Sequence, residues 1–247
     1  MPLYHKTIGQ GPDLVLLHGW GFNSDIWLPM ATPLSEQYTV HCYDLPGFGR
    51  SRHVALAPDL NELIEVLLPL LPQNASYVGW SLGGLLAMAI AASFPLRVKS
   101  LVTIGSSPCF LQNENWNGVS PDFFNSFYSL MLQDAQKGLK QFARLMLTTR
   151  KDQRQFSSSV LQMMHHDSAT DLNALMTGLT LLKNSDLRND LQNLRCPNVH
   201  IVGQLDPLTK ENLSLQQIQI PDAGHIPLLT HKEQLLSHLL EFLDENR

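Results

Sequence analysis

Gly79-Trp80-Ser81-Leu82-Gly83 sets a serine between two glycines. That spacing suits a sharp strand-to-helix corner from which a hydroxyl projects above a sheet edge. Glycines on both sides let neighbouring backbone pass where a Cβ would clash. A serine hydroxyl is a poor nucleophile until a base takes its proton, and the base needs a third group to orient it. His225 is the candidate base, because of ten histidines it alone follows a glycine in a loop leading to the last helical segment. Asp206 is the candidate acid, with Asp186 and Asp222 as alternatives. Asp186 would approach from the preceding strand's side, and Asp222 is close in sequence to the histidine it would orient. A tetrahedral oxyanion needs two amides aimed at it. Leu82, next after the serine, supplies one and Trp20, in His18-Gly19-Trp20-Gly21, the other. This is the chemistry of a serine hydrolase.

The elements that must position these groups alternate along the chain. Leu14-Val15-Leu16-Leu17 is a short apolar run of the kind expected of a strand buried on both faces. Further strands are expected at Thr39 to Tyr43, Ala75 to Val78, Ser100 to Gly105, Pro197 to Gly203 and Gln217 to Ile220. Helical patterns lie between them: Asn23 to Leu34, a segment opened by Pro58 and Asp59, and Leu82 to about Phe94. In the final helix Leu235, Leu236, Leu239, Leu240 and Leu243 form a buried stripe, and Thr230 with Glu233 reads as a capping box. His18 reads as structural, and Asp44 and Arg50 as residues that hold the Pro46-Gly47 loop. Strand–helix alternation predicts right-handed crossovers and a mostly parallel sheet with helices on both faces. From about Leu111 to Lys183 the rhythm stops, and the periodicity becomes helical and rich in Met and Phe. This predicts a core formed by residues 1–110 and 184–247, with 111–183 inserted as a helical cap over the carboxyl edge of the sheet, where α/β enzymes bind ligands. The Met and aromatic residues would fill the cap's own core or line a substrate tunnel.

Composition narrows the classes. With 44% hydrophobic and 16% charged residues in 247, the chain can bury a substantial core. A net charge of −5 gives no case for nucleic acid or an anionic membrane. No apolar run reaches the length of a membrane span, and Met1 to Lys6 lack a signal peptide's apolar core. Three widely spaced cysteines suit free thiols in a reducing compartment. The expectation is a cytoplasmic monomer that needs no metal or organic cofactor.

Taken together, Leu16-Leu17-His18-Gly19-Trp20-Gly21, Asp44-Leu45-Pro46-Gly47-Phe48-Gly49-Arg50-Ser51, Gly79-Trp80-Ser81-Leu82-Gly83-Gly84, Ser106-Ser107-Pro108-Cys109-Phe110 and Asp186-Leu187-Arg188 make the chain resemble the α/β hydrolases over essentially its full length. Trp80 and the Ser-Ser-Pro-Cys-Phe run are more particularly similar to the biotin-pathway carboxylesterases that act on the methyl ester of pimeloyl-acyl-carrier protein. The resemblance implies Ser81, Asp206 and His225 as triad, in the family's chain order of serine, acid and histidine. It also implies contacts from Trp20, Ser81, Leu82 and Phe142 to the acyl chain or ester. Only 19 positions separate Asp206 from His225, fewer than the family usually has, so any helix between the last two strands must be short or absent.

Residues 137 to 154 hold Lys137, Lys140, Arg144, Arg150, Lys151 and Arg154 against Asp152 alone, a window of +5 that leaves −10 on the rest. On a helix Lys137, Lys140 and Arg144 share one face, opposite Leu139, Phe142, Ala143 and Met146. That pattern is either a solvated amphipathic helix or, as the resemblance implies, a dock for acidic acyl-carrier protein. A broad short-chain carboxylesterase and a carbon–carbon bond hydrolase use the same residues. A non-hydrolytic ligand-binding relative is the alternative of another class.

Overall fold

The computed structural model describes residues 3–147, 153–165, 171–209 and 216–247. Seven strands form one sheet: β1 His5–Ile8, β2 Asp13–Leu17, β3 Thr39–Tyr43, β4 Ala75–Trp80, β5 Val98–Ile104, β6 Asn198–Gly203 and β7 Gln217–Ile220. Their order is β1-β3-β2-β4-β5-β6-β7, with β1 antiparallel to β3 and every other pair parallel. β4 is central and buried along its whole length, on both faces of the sheet. β1 is an addition to the expected strands. Its residues His5, Lys6 and Thr7 are exposed, so an edge strand forms here without any apolar pattern to announce it.

The helices are α1 Leu28–Leu34, α2 Leu60–Leu67, α3 Leu82–Ser93, α4 Pro121–Gln133, α5 Ala135–Met146, α6 Gln153–His165, α7 Leu172–Asn184, α8 Pro227–Thr230 and α9 Lys232–Glu245. α3 is apolar all round and buried from Leu82 to Ala91, which suits a helix between the sheet and α2. Asn23 and Asp59 cap their segments through side-chain oxygens, as expected of their types. The capping box expected at Thr230 and Glu233 does not form. Thr230 ends α8, where its hydroxyl donates to Ile226 O at 3.0 Å, and His231 precedes α9 without a side-chain cap.

Register sets the working edge. Leu17 and Thr103 flank Gly79 across the sheet, Trp80 pairs with Ile104, and Gly203 with Ile220. The loops after β2, β4, β5, β6 and β7 therefore leave the same carboxyl edge. Between β5 and β6 lie α4 to α7, with no strand among their described residues. The methionines and phenylalanines of this stretch divide their work. Met131 is buried against Gly138 within this stretch and Met164 against Gly21 of the loop after β2, whereas the phenylalanines of α4 and α5 turn towards the sheet edge and line a pocket.

Candidate active site

The corner after β4 is sharp. Ser81 has φ 55° and ψ −117°, a left-handed backbone that an ordinary residue adopts only under strain. The bend requires its glycines, since a Cβ on Gly79 would lie 2.3 Å from Gly83 O and one on Gly83 2.2 Å from Leu17 O. Leu82 opens α3, where a first-turn N–H has no intrahelical acceptor.

His225 Nε2 lies 3.0 Å from Ser81 Oγ, and His225 Nδ1 lies 2.8 Å from Asp206 Oδ2. The other carboxylate oxygen accepts from Leu208 N–H at 2.8 Å and Thr209 N–H at 3.2 Å. Both the histidine and the carboxylate are buried. With the carboxylate accepting, Nδ1 carries the proton and Nε2 is left as the acceptor for the serine proton. The arrangement can therefore activate a hydroxyl for attack on a carbonyl.

The short Asp206-to-His225 spacing is accommodated by direct pairing of the two loops: Gln204 N–H donates to Ile220 O at 3.0 Å and Leu205 N–H to Ala223 O at 2.9 Å. Residues 210–215 of the connection lie outside the described residues. Asp186 is elsewhere, paired with Arg188 at 2.6 Å. Asp222, at φ 57°, sits in the turn before His225, and its N–H donates to Gln204 Oε1.

Trp80 has a part in this geometry that the sequence did not reveal. Its indole N–H donates to His225 O at 2.8 Å, and its ring packs 4.9 Å from Phe22 and 5.8 Å from the imidazole. One side chain thus joins the serine corner, the glycine loop and the histidine loop. Trp20 plays a parallel part towards the helical segment: its indole N–H donates to Leu175 O on α7 at 2.8 Å, and its ring meets Phe142 edge-on at 4.9 Å and Phe127 at 6.0 Å.

An apolar pocket opens on Ser81, lined by Trp20, Phe110, Phe124, Phe127, Phe142 and Leu182 among others. Its volume is about 30 Å³. Phe142, which the resemblance implies as an acyl-chain contact, is among the lining residues. Leu82 does not line this pocket; its side chain is buried beneath, so any contact with an ester must come from its backbone. Phe110 ends the Ser-Ser-Pro-Cys-Phe run quoted above, without a role assigned to it there; Phe124 and Phe127 are lining residues that sequence reading did not single out, although their spacing on one helix face was available. A larger, polar cavity of 280 Å³ lies between α2, α3 and the end of α7, and Ser81 does not border it.

The expected structural roles near the site are visible. His18 is fully buried, its Nδ1–H donating to Gly19 O at 2.8 Å while Nε2 accepts from Leu45 N–H at 2.9 Å. Burial lowers its pKa, and those two bonds fit only the neutral ring. Asp44 accepts from Arg50 and from Ser24, which outweigh its burial and lower its pKa.

His200 on β6, within hydrogen-bond reach of Thr103 Oγ1 at 2.6 Å, is pushed down by burial to about 4. The sign follows directly. Between pH 6.5 and about 4 the unfolded chain binds a proton at this histidine that the folded chain refuses, so stability falls as pH falls through that window. Wild type is expected to lose about 2 kcal/mol more than His200→Asn between pH 7 and 4.5, read from urea unfolding at both pH values. Equal losses in the two proteins would contradict this.

The fold and the Ser–His–Asp chain define a serine hydrolase. The alpha/beta hydrolase fold family description matches residues 12–232. A pimeloyl-[acyl-carrier protein] methyl ester esterase of Shewanella oneidensis is 38% identical, covering 99% of this chain and 95% of its own. One of Pectobacterium atrosepticum is 34% identical, covering 97% and 98%. Among solved structures, a bromoperoxidase from Bacillus anthracis superposes with TM-score 0.89 at 22% identity, over 98% of this chain and 95% of that one. The enol-lactonase from Burkholderia xenovorans LB400 gives 0.81 at 20%, over 98% and 96%. These two show the fold alone. The chain belongs to the α/β hydrolases and, within them, to the family of these methyl ester esterases.

Proposed function

We propose that the protein hydrolyses the methyl ester of pimeloyl-acyl-carrier protein in biotin synthesis, with Ser81 as nucleophile, His225 as general base and acid, and Asp206 as its orienting carboxylate. The observation that carries this reading is the hydrogen-bonded Ser81–His225–Asp206 chain at the mouth of an aromatic pocket sized by Trp20, Phe110 and Phe142. Ser81 attacks the ester carbonyl while His225 Nε2 takes its proton. The oxyanion rests on the Leu82 and Trp20 amides, and His225 then protonates the departing methanol. Water, deprotonated by His225, cleaves the acyl-enzyme to a free carboxylate on the carrier-linked chain. None of these steps uses a metal or organic cofactor. Residues 111–183 act as a cap whose aromatic underside receives the chain.

The partner reading rests on α5. Lys137, Lys140 and Arg144 are exposed on its outer face, while Leu139, Ala143 and Met146 are buried and Phe142 reaches the pocket. A cationic surface thus backs directly onto the acyl site, as docking of an acidic carrier protein requires. Arg150 and Lys151 lie outside the described residues, as does the side chain of Arg154. Three free cysteines support a reducing, cytoplasmic setting, and the protein acts as a monomer. Replacing Lys137, Lys140 and Arg144 together by glutamine is expected to raise KM for the carrier-linked ester roughly tenfold and to leave a small soluble ester unchanged. Parallel losses on both substrates in steady-state assays would remove the docking role.

A further inference from the structure

Two motifs picked out in the sequence, Ser-Ser-Pro-Cys-Phe and Asp-Leu-Arg, have no part in the triad or the oxyanion site. We infer that Arg188 is a positioning residue: it clamps together the two chain segments that join the helical segment to the sheet, and through them holds Phe110 and Val119 in the acyl pocket. This rests on the hydrolase reading above and adds to it a determinant of acyl-chain selectivity that touches no substrate.

The two segments meet beside the pocket. Leu187 N–H donates to Pro108 O at 2.8 Å, and Cys109 and Asp186 form an antiparallel bridge. Arg188 closes the junction. Its Nε donates to Asp186 Oδ1 at 2.8 Å, Nη2 to Asp186 Oδ2 at 2.6 Å and Nη1 to Asn113 Oδ1 at 3.2 Å, and its guanidinium lies 5.6 Å from the centre of the Trp116 ring. An isolated surface ion pair has little effect. Here the bidentate fork to Asp186, on Arg188's own segment, fixes the guanidinium so that its remaining N–H reaches Asn113 and its face the Trp116 ring on the other segment, a geometry that only an arginine supplies.

What the cross-segment bond and ring contact reach leads straight to the pocket wall. Asn113 and Trp116 exchange backbone bonds of 3.1 and 3.2 Å, and Trp116 Nε1 donates to Cys109 O at 2.6 Å. Val119 N–H donates to Phe110 O at 2.9 Å, and Gln112 N–H to Val119 O at 2.9 Å. The carbonyls on both sides of the Phe110 Cα are therefore held by the same small hairpin. Phe110 and Val119 both line the acyl pocket, and Leu182, four residues before Asp186 on the returning segment, lines it too. A long acyl chain must pack against this wall, whereas an acetyl group has almost nothing to pack. Loosening the hairpin should then penalise long chains and spare short ones.

The test compares kcat/KM for p-nitrophenyl octanoate and p-nitrophenyl acetate in wild type, Arg188→Gln, Phe110→Ala and the double variant. Arg188→Gln is expected to lower the octanoate-to-acetate ratio about tenfold while acetate turnover stays within about twofold. Phe110→Ala should lower the ratio as well, and the double variant should lower it no further, because both changes remove one wall. An unchanged ratio in Arg188→Gln, equal losses on both esters, or losses that add in the double variant would each overturn the clamp and leave the hydrolase reading standing. Absence of Ser81-dependent turnover in wild type would overturn both.

Discussion

Ser81→Ala is expected to lower kcat about 10⁶-fold, the scale on which removing a triad nucleophile acts in serine hydrolases, while the melting temperature barely moves. The separation of the two effects is what makes the result informative. Alanine keeps a Cβ, so the backbone at φ 55° is neither relieved nor further strained. One hydrogen bond of 3.0 Å to His225 Nε2 is lost, at a half-buried position where water can replace the partner. Turnover measured on any ester, with unfolding followed in parallel, checks both halves. Hydrolysis persisting within about a hundredfold of wild type would remove Ser81 as the nucleophile.

Asp206→Asn is expected to lower kcat about 10⁴-fold with KM nearly unchanged. The carboxylate now accepts on both oxygens, Oδ2 from His225 and Oδ1 from the Leu208 and Thr209 amides. An asparagine has a single carbonyl oxygen, and the two amide donors claim it. Its NH₂ then faces Nδ1 and donates to it, so the ring proton moves to Nε2, the atom that must take the serine proton. The base is present but in the wrong tautomer. Stopped-flow or steady-state rates on a small ester read the effect, and a loss of less than about tenfold would mean that another group orients His225.

The central strands and the glycine-framed corner were legible because the physics behind them is local. A strand buried on both faces must be continuously apolar, as Leu14 to Leu17 is, and a corner as tight as Ser81's tolerates only glycine at Gly79 and Gly83. Features that depend on pairing across the fold were not legible. β1 is held by its backbone ladder to β3 while its side chains face water. Trp80 stands out in the sequence only through the resemblance, and its structural part shows once His225 O is brought to its indole from 145 positions away. The Thr230–Glu233 pattern satisfied a local rule, but the chain broke into two helices at His231 and spent the threonine hydroxyl on Ile226 O. The phenylalanines at 124 and 127 showed a helical spacing, and nothing in that spacing says that the face they form looks onto Ser81 rather than into the helical segment's own core.

The most direct test of the central claim is hydrolysis of pimeloyl-acyl-carrier protein methyl ester, followed beside p-nitrophenyl butyrate, by wild type and Ser81→Ala. Ser81-dependent turnover with a kcat/KM strongly favouring the carrier-linked ester is the predicted result. Turnover of the small ester alone would contradict the methyl ester esterase assignment and leave a general carboxylesterase built on the same three residues.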